Sequence, residues 1–307
     1  MRTVIIHNPR SGFGSDAIFE FARCLMDAGD ECVIRALGDG QPVAQALDEA
    51  RGFDLAVISG GDGTVASALY ALADSDVPTC VFPSGTANLL FESLGNAPEP
   101  MAIARACREG VTVRLDIGEM RWRDQDGRDH CRGFSLMAGS GYDAQIMAEA
   151  APNKGALGEA AYFTAVAAVS PQQYRFSVEL DGETHESQGM MAMACNSARI
   201  QGDIELISDC RMDDGVIEVV VSQIRHRPEL LPTVATWLMD PAATHVSRPM
   251  VERFSGTRLR VTADRPLPLQ IDGEPIPGTT TGYEVRVLPG AARLIVDPLS
   301  PFYPEGR

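Results

Sequence analysis

One local pattern occurs three times before residue 90: a short apolar segment runs into a glycine-bearing turn, and a helical pattern follows. The three turns are Asn8–Gly12 (NPRSG), Gly60–Thr64 (GGDGT) and Pro83–Asn88 (PSGTAN). Strands that alternate with helices across short loops predict a doubly wound parallel sheet. Ligands of such sheets bind at the carboxyl ends of the strands, so one ligand could contact all three turns.

The pattern of the sequence changes after residue 116. Short β-rich segments follow one another between Asp-Gly turns, and helical stretches are expected at about 157–169 and 229–238. This pattern predicts a mostly antiparallel β domain. The expected fold class is therefore α/β plus mostly-β, with a parallel sheet in residues 1–116 and an antiparallel β-sandwich in residues 117–290. The last apolar run lies in residues 291–307, which could return to the first domain.

The composition of the chain disfavours several classes of function. The chain has 307 residues and a net charge of −16, which disfavours nucleic acid as a partner. Lys154 is its only lysine, so no phosphate-binding loop of the GxxxxGK[ST] type exists. The seven cysteines form no CxxC pair and are expected to be reduced thiols of a cytoplasmic protein. No apolar stretch reaches the roughly 18 residues of a membrane span, and the N-terminal residues lack the pattern of a secretory signal.

The turn Gly60–Thr64 places one carboxylate among three glycines. Gly60, Gly61 and Gly63 allow close approach of a phosphate to the backbone, and Thr64 is expected to cap the following helix. Asp62 has the wrong charge for a phosphate site unless a proton or a cation stands between them. It is therefore expected to face a Mg²⁺ ion or a hydroxyl that receives a phosphoryl group. The alternative is a tight turn in which Asp62 only caps backbone N–H groups.

The other two turns carry weaker signals. In the first turn, Asn8 and Ser11 can bind phosphate or ribose, Arg10 can add charge and Gly12 allows close approach, although Asn8-Pro9 is also a common turn. In the third turn the candidate nucleotide-binding residues are Gly85, Thr86 and Asn88. A plain capped helix start would explain that third turn equally well.

The order of four motifs, supported by a fifth, indicates a family. The chain resembles the diacylglycerol kinase catalytic-domain family, which includes bacterial soluble lipid kinases and the sphingosine and ceramide kinases. The motifs that carry the resemblance are NPRSG, GGDGT and PSGTAN, followed by GSGYDA at 139–144 and IDGE at 271–274. The resemblance implies a fold of the NAD kinase/diacylglycerol kinase type and ATP-dependent phosphorylation of a lipid hydroxyl. The first domain would hold ATP and the β domain would shape the lipid site.

The resemblance also implies roles for single residues. Asn8–Gly12, Gly60–Thr64 and Thr86 look like nucleotide contacts. Asp272 and Glu274 match the catalytic acidic pair, with Glu274 in the position of the proton acceptor. The residues that match a Mg²⁺ site are Asp214, the carbonyl groups near Arg211 and Val216, and Asp116 as a supporting residue. Asp62 competes with Glu274 for the role of base.

The chemistry of phosphoryl transfer suits these carboxylates independently of the resemblance. An alcohol has no appreciable alkoxide at pH 7, so a positioned base must accept its proton. Mg²⁺ demands oxygen ligands, and carboxylates supply them. The cofactors implied are ATP and Mg²⁺, and the expected partners are a lipid substrate, a membrane contacted transiently and peripherally, and a second subunit in a homodimer. Two other functions stay open: an NAD-kinase-like enzyme and a non-catalytic nucleotide-binding regulator.

Overall fold

The structure is a computed structural model that describes residues 1–11, 16–48, 50–153, 160–201, 204–246 and 248–304. The chain divides into two compact units. Unit 1 comprises Met1–Leu115 and Gly290–Arg307, and unit 2 comprises Asp116–Pro289. The predicted fold class is confirmed, since unit 1 contains a parallel sheet with helices and unit 2 is built mainly from antiparallel strands.

Unit 1 is an alternating arrangement of strands and helices. Its strands are β1 (Arg2–His7), β2 (Glu31–Ala36), β3 (Leu55–Gly60) and β4 (Thr79–Pro83). Its helices are α1 (Ala17–Asp27), α2 (Val43–Ala46), α3 (Asp62–Ala71), α4 (Leu89–Leu94) and α5 (Pro100–Glu109). The four strands are parallel and lie in the order β4-β3-β1-β2.

The central strands of unit 1 are buried on both faces. Every residue of β3 is buried, and Val4, Ile5 and Ile6 of β1 are 0% exposed. Strands covered by helices on both sides read as continuous apolar runs rather than as alternating patterns. Helix α2 is short and ends at Ala46. Leu47 N–H donates to Ala44 O three residues back, so the chain tightens there instead of continuing as an α-helix.

Unit 2 consists mostly of strands. They are β5 (Val111–Arg123), which begins in unit 1, β6 (Asp129–Phe134), β7 (Met137–Gly141), β8 (Tyr174–Leu180), β9 (Glu183–Gly189), β10 (Met191–Cys195), β11 (Arg199–Gln201), β12 (Ile204–Glu205), β13 (Ile217–Ser222), β14 (Val251–Gly256), β15 (Arg258–Ile271) and β16 (Glu274–Val296). The helices are α6 (Tyr142–Ala150), α7 (Ala160–Ala168) and α8 (Leu230–Met239). The last residues of β16 belong to unit 1, where Leu294 pairs in parallel with Thr79 of β4.

The antiparallel ladders of unit 2 enclose one large apolar core. Strand β7 pairs with β10 and β15, and β15 also pairs with β8 and β16. The core includes Phe134, Phe176, Val219, Leu267 and Ile271. The pairing of β15 with β16 shifts in register between Thr262 and Leu267. No helix among the described residues is long and apolar enough to cross a membrane.

Candidate active site

Three strands of unit 1 end at the same edge, and polar side chains join their ends. His7 of β1 shares a hydrogen bond with Ser59 of β3 (Nδ1 to Oγ, 2.9 Å), and Ser59 Oγ lies 2.6 Å from Ser84 Oγ after β4. Burial lowers the pKa of His7, so its imidazole is neutral near pH 7 and fits a hydroxyl partner. None of these three residues was singled out as a site residue from the sequence. His7 and Ser59 directly precede predicted turns, and Ser84 is the second residue of the third turn.

Backbone and side-chain bonds also fasten the first turn to the second. Asn8 Nδ2 donates to Thr64 Oγ1 (2.9 Å), and Gly61 N–H donates to Ser11 Oγ (3.2 Å). The expectation that Thr64 caps helix α3 is wrong. The helix begins at Asp62 with Gly61 as its N-cap residue, and Thr64 lies in the first turn. Its hydroxyl accepts the hydrogen bond from Asn8 instead.

The second and third turns approach each other through glycine. A Cβ on Gly85 would lie 2.5 Å from the Gly61 Cα, a distance that no side chain can tolerate. Asn88 has a left-handed backbone (φ 51°), and its side chain closes the third turn by accepting from Gly85 N–H (2.7 Å) and donating to Gly85 O (2.9 Å). Thr86 is exposed. Of the three candidates in this turn, Thr86 therefore presents its side chain outward, while Gly85 and Asn88 shape the backbone.

Asp62 bonds to the neighbouring turn. Its Oδ1 accepts a hydrogen bond from Leu90 N–H (3.1 Å), near the start of α4. A carboxylate next to unpaired N–H groups at a helix start is favourable. Its expected contact with a cation or a substrate hydroxyl stays a prediction. Arg10 forms an exposed ion pair with Asp39, and Gly12 lies outside the described residues.

In unit 2 the IDGE motif forms a two-residue hairpin turn between β15 and β16, with Ile271 paired to Glu274. Asp272 and Gly273 both have positive φ (46° and 76°), as the tightest hairpin turns require. The Asp272 side chain is buried and accepts four hydrogen bonds: from Ser135 N–H (2.8 Å), Ser135 Oγ (3.3 Å), Leu136 N–H (2.9 Å) and Met137 N–H (3.0 Å). The structure shows Asp272 as the anchor of this turn, and its predicted catalytic role stays a prediction.

Glu274 differs from Asp272 in exposure and in partner. Its side chain is 51% exposed and forms an ion pair with Arg132 of β6, whose side chain is 28% exposed. The ion pair fixes the position of the Glu274 carboxylate relative to β6. Of the predicted acidic pair, Glu274 is thus the one that solvent and a substrate can reach within unit 2.

Gln270 links the IDGE turn to the GSGYDA motif. Its Nε2 donates to Asp143 Oδ2 (2.8 Å), and its Oε1 accepts from Gly273 N–H (2.7 Å). Asp143 is buried, and desolvation raises its pKa to about 6 even though the bond from Gln270 opposes the shift. A Cβ on Gly139 would lie 2.0 Å from Asp143 Oδ2, which explains the need for glycine at the start of GSGYDA.

The predicted metal-site residues meet around the loop before β13. Asp116 is buried, and its Oδ2 accepts from Gly215 N–H (2.7 Å) while its own N–H donates to Met212 O (2.6 Å). Asp214 is exposed and accepts from Val216 N–H through Oδ1 (3.0 Å). The Arg211 guanidinium pairs with Asp213 (2.9 Å), so any role of Arg211 in a metal site falls to its carbonyl oxygen. Within the described ranges no group of three or more His, Cys, Asp or Glu side chains could hold a metal ion.

Asn196 connects the metal-site loop to the IDGE turn. It is 0% exposed, and its Nδ2 donates to Asp116 O (2.9 Å) and to Ser135 O (2.8 Å). Ser135 in turn donates to Asp272. The sequence analysis missed Asn196, Ser135 and Gln270. A single amide placed directly after the apolar run of β10 was the only local signal for Asn196.

Comparison with known proteins agrees with this architecture. Residues 2–120 match the diacylglycerol kinase catalytic domain, and residues 137–296 match the YegS C-terminal NAD kinase beta sandwich-like domain. The second match alone covers more than half of the chain. The chain therefore belongs to the family of lipid kinases that combine these two domains.

Individual relatives are distant in sequence. A diacylglycerol kinase of Mycobacterium tuberculosis is 27% identical over 293 residues, covering 89% of this chain and 93% of the relative. A protein of Pseudomonas fluorescens named probable lipid kinase YegS-like is 29% identical over 313 residues. The alignment covers 96% of this chain and 96% of the relative. The solved structure of a diacylglycerol kinase from Bacillus anthracis aligns with a TM-score of 0.73 at 18% identity, over 97% of both chains.

The close approach of the two glycine turns predicts the effect of one added methyl group. In Gly85→Ala the new Cβ meets backbone of Gly61, which cannot move without displacing β3. We expect a loss of about 1–3 kcal/mol of unfolding free energy, measured by urea denaturation. Gly52→Ala is the matched control, because its Cβ would meet no atom within 4 Å. Equal stability of the two variants would contradict the packing described.

The buried Asp143 predicts a pH-dependent stability difference. Between its ordinary pKa of 3.8 and its folded value of about 6, the folded chain keeps a proton that the unfolded chain has lost. The unfolding free energy of the wild type should therefore fall, relative to Asp143→Asn, by roughly 3 kcal/mol across this interval and stay level above it. Urea titrations of both proteins from pH 4 to pH 8 measure the difference. A flat difference would show that Asp143 titrates in its ordinary range.

Proposed function

We propose that this protein transfers the γ-phosphoryl group of ATP to the hydroxyl of diacylglycerol or a related long-chain lipid alcohol. The observation that carries the proposal is the position of Glu274. It is an exposed carboxylate on a hairpin turn whose backbone is held from one side by Asp272 and from the other by Gln270. A base on a rigid turn needs no reorganisation when it accepts a proton.

In the proposed reaction the lipid hydroxyl oxygen attacks the γ-phosphorus of ATP and its proton passes to Glu274. The new O–P bond forms as the bond between the γ-phosphorus and the bridging oxygen of ADP breaks. Arg132 orients Glu274 before the transfer. Asp272 accepts hydrogen bonds from three backbone N–H groups, so we assign it the positioning of the turn.

The three joined turns of unit 1 are proposed to hold the nucleotide. With a single lysine in the chain, phosphate binding falls to backbone N–H groups, hydroxyl groups and arginine. Asn8–Gly12, Gly60–Thr64, Gly85 and Thr86 supply these groups, and the bonds of Asn8, Ser11 and Asn88 fix the turns in place before a ligand arrives. Such preorganisation reduces the entropy lost on binding.

The residues around Asp214 fit a Mg²⁺ ion. The donor set consists of hard oxygen atoms: an exposed carboxylate, carbonyl groups of Arg211 and Val216, and the buried Asp116 that secures the loop. In the same network Asn196 Oδ1 is buried and has no hydrogen-bond partner within the described part of the chain. When bound, the ion would neutralise phosphate charge. Asp214 would bind it directly, and Asp116 would hold the loop.

The lipid class rests on the relatives. The names of the relatives from Mycobacterium tuberculosis and Bacillus anthracis specify diacylglycerol. We extend this substrate to the present chain as a proposal, together with peripheral and transient contact with the membrane that holds the lipid, and with a homodimer. In the cytoplasm, ATP and Mg²⁺ would be available to the enzyme.

Removal of the proposed base tests the reaction. In Glu274→Gln we expect kcat for transfer of radiolabelled phosphate from ATP to diacylglycerol in mixed micelles to fall by about 10²–10⁴-fold. The KM for ATP should stay within about twofold, because the nucleotide turns are untouched. Glu183→Gln, an exposed glutamate at the start of β9, is the control and should keep full activity. A rate of Glu274→Gln equal to that of the wild type would refute the assignment.

Removal of the proposed metal-binding carboxylate tests the Mg²⁺ site. In Asp214→Asn we expect the Mg²⁺ concentration for half-maximal activity to rise by about tenfold or more, since the site loses the exposed carboxylate that would bind the ion directly. The exposed Asp126→Asn on another turn of unit 2 should leave this concentration unchanged. Identical Mg²⁺ titrations of Asp214→Asn and the wild type would place the metal elsewhere.

A further inference from the structure

The outer side of α8 in unit 2 is apolar along its whole length. Its exposed residues are spaced as one face of a helix, and we call this set the α8 apolar face: Leu231, Val234, Ala235, Leu238 and Met239. Leu231 is 69% exposed, Leu238 80% and Met239 77%. A helix that meets only water normally turns a polar face outward, so a contiguous apolar face marks a surface that binds something.

The opposite side of α8 is already packed. Leu230 lies against a buried cluster that contains Tyr142, Met190 and Ile224, and Thr233 is buried. The helix is thus secured by its inner side, and the α8 apolar face is not needed to hold it. Truncation of the outer leucines should therefore leave the fold of unit 2 intact.

The charges next to the α8 apolar face favour an anionic partner. The helix itself contains no charged residue. Glu229 before it accepts a hydrogen bond from Arg225 N–H (2.7 Å), and Asp240 after it accepts from His245 and Val246 N–H (2.6 and 2.8 Å). The pKa of Asp240 is lowered to about 2 by these backbone bonds. Arg225 and His226 are exposed at the start of the helix.

We propose that the α8 apolar face docks on the surface of an anionic phospholipid membrane, with Leu231, Leu238 and Met239 among the acyl chains. Arg225 and His226 then lie at the level of the head groups. The inference rests on the proposed function, since a long-chain lipid alcohol is available only in a membrane. A chain of net charge −16 is repelled by an anionic surface as a whole. Apolar insertion next to the exposed Arg225 and His226 overcomes that repulsion locally.

A second copy of this chain is the competing occupant. A helix of ten residues is about 15 Å long, and one of its faces offers far less than the roughly 800 Å² per partner that a stable dimer buries. The face is better matched to a membrane, where a few inserted side chains suffice for reversible binding.

Vesicle flotation with the full chain tests the proposal. The vesicles contain phosphatidylcholine and phosphatidylglycerol. We expect Leu231→Gln with Leu238→Gln to weaken binding by about tenfold for each leucine, or about a hundredfold together. The control pair Met101→Gln with Leu299→Gln has the same exposure (72% and 74%) but lies in unit 1, and should bind as the wild type does. Unchanged binding of the α8 pair would overturn the proposal.

The helix also carries a spectroscopic reporter. The chain has two tryptophans, and Trp122→Phe leaves Trp237 of α8 alone. Its emission should shift to shorter wavelength when vesicles are added, and the shift should be lost in the α8 pair. An unshifted emission from vesicle-bound protein would place the contact elsewhere.

Light scattering on the same proteins measures their oligomeric state. If the α8 pair turns a dimer into a monomer and still binds vesicles, the proposal is overturned in favour of self-association.

Activity measurements separate this inference from the proposed function. On a water-soluble short-chain diacylglycerol, the α8 pair and the wild type should have equal rates, whereas on long-chain diacylglycerol in vesicles the pair should be slower in proportion to its lost binding. A wild type that phosphorylates neither lipid would refute the proposed function alone. Vesicle binding that depends on Leu231 and Leu238 would still support docking in that case.

Discussion

The arrangement of unit 2 depends on the carboxylate of Asp272. Three successive backbone N–H groups, from Ser135 to Met137, point at its two oxygens within 3.0 Å. A buried carboxylate is costly unless hydrogen bonds replace its water, and bonds to an ionised group are about twice as strong as neutral ones. The same carboxylate satisfies the buried N–H groups of Ser135 and Leu136, which lie between β6 and β7, and that of Met137 at the start of β7. Loss of the carboxylate would remove all three bonds, so this single side chain holds the β15–β16 turn against β6 and β7.

Around this anchor, the polar groups of unit 2 form one connected network. Asn196 joins the Asp116 loop to Ser135, and Gln270 joins Asp143 to Gly273. Partly satisfied buried networks are unfavourable, while fully satisfied ones fix a single conformation. Asp143 lowers the stability of the folded chain at neutral pH, because burial raises its pKa to about 6 and so penalises its charged form. The penalty is consistent with a site under functional constraint, as strongly shifted carboxyl groups cluster at such sites.

The limits of sequence prediction follow from how far apart along the chain the contacting residues lie. The alternation of strand, glycine turn and helix predicts unit 1 correctly because each element depends on neighbours a few residues away. Thr64 was misassigned because its partner, Asn8, is 56 positions distant, and a hydroxyl near a helix start looks like a cap in isolation. The motif IDGE marks Asp272 and Glu274 as one acidic pair, yet the structure separates them into an anchor and an exposed carboxylate. Their partners, Ser135 and Arg132, are more than 130 positions away.

Net charge and exposed apolar surface have opposite effects on the binding of this molecule to an anionic membrane. The net charge of −16 keeps the chain away from anionic surfaces, but a kinase whose acceptor is dissolved in lipid must still reach such a surface. A basic patch large enough to reverse the overall field would cost the net charge that favours solubility. A short apolar face beside two basic residues avoids that cost, because hydrophobic insertion is independent of the sign of the field and acts only at contact. Binding of the proposed kind is weak and reversible, because one short apolar face inserts only a few side chains.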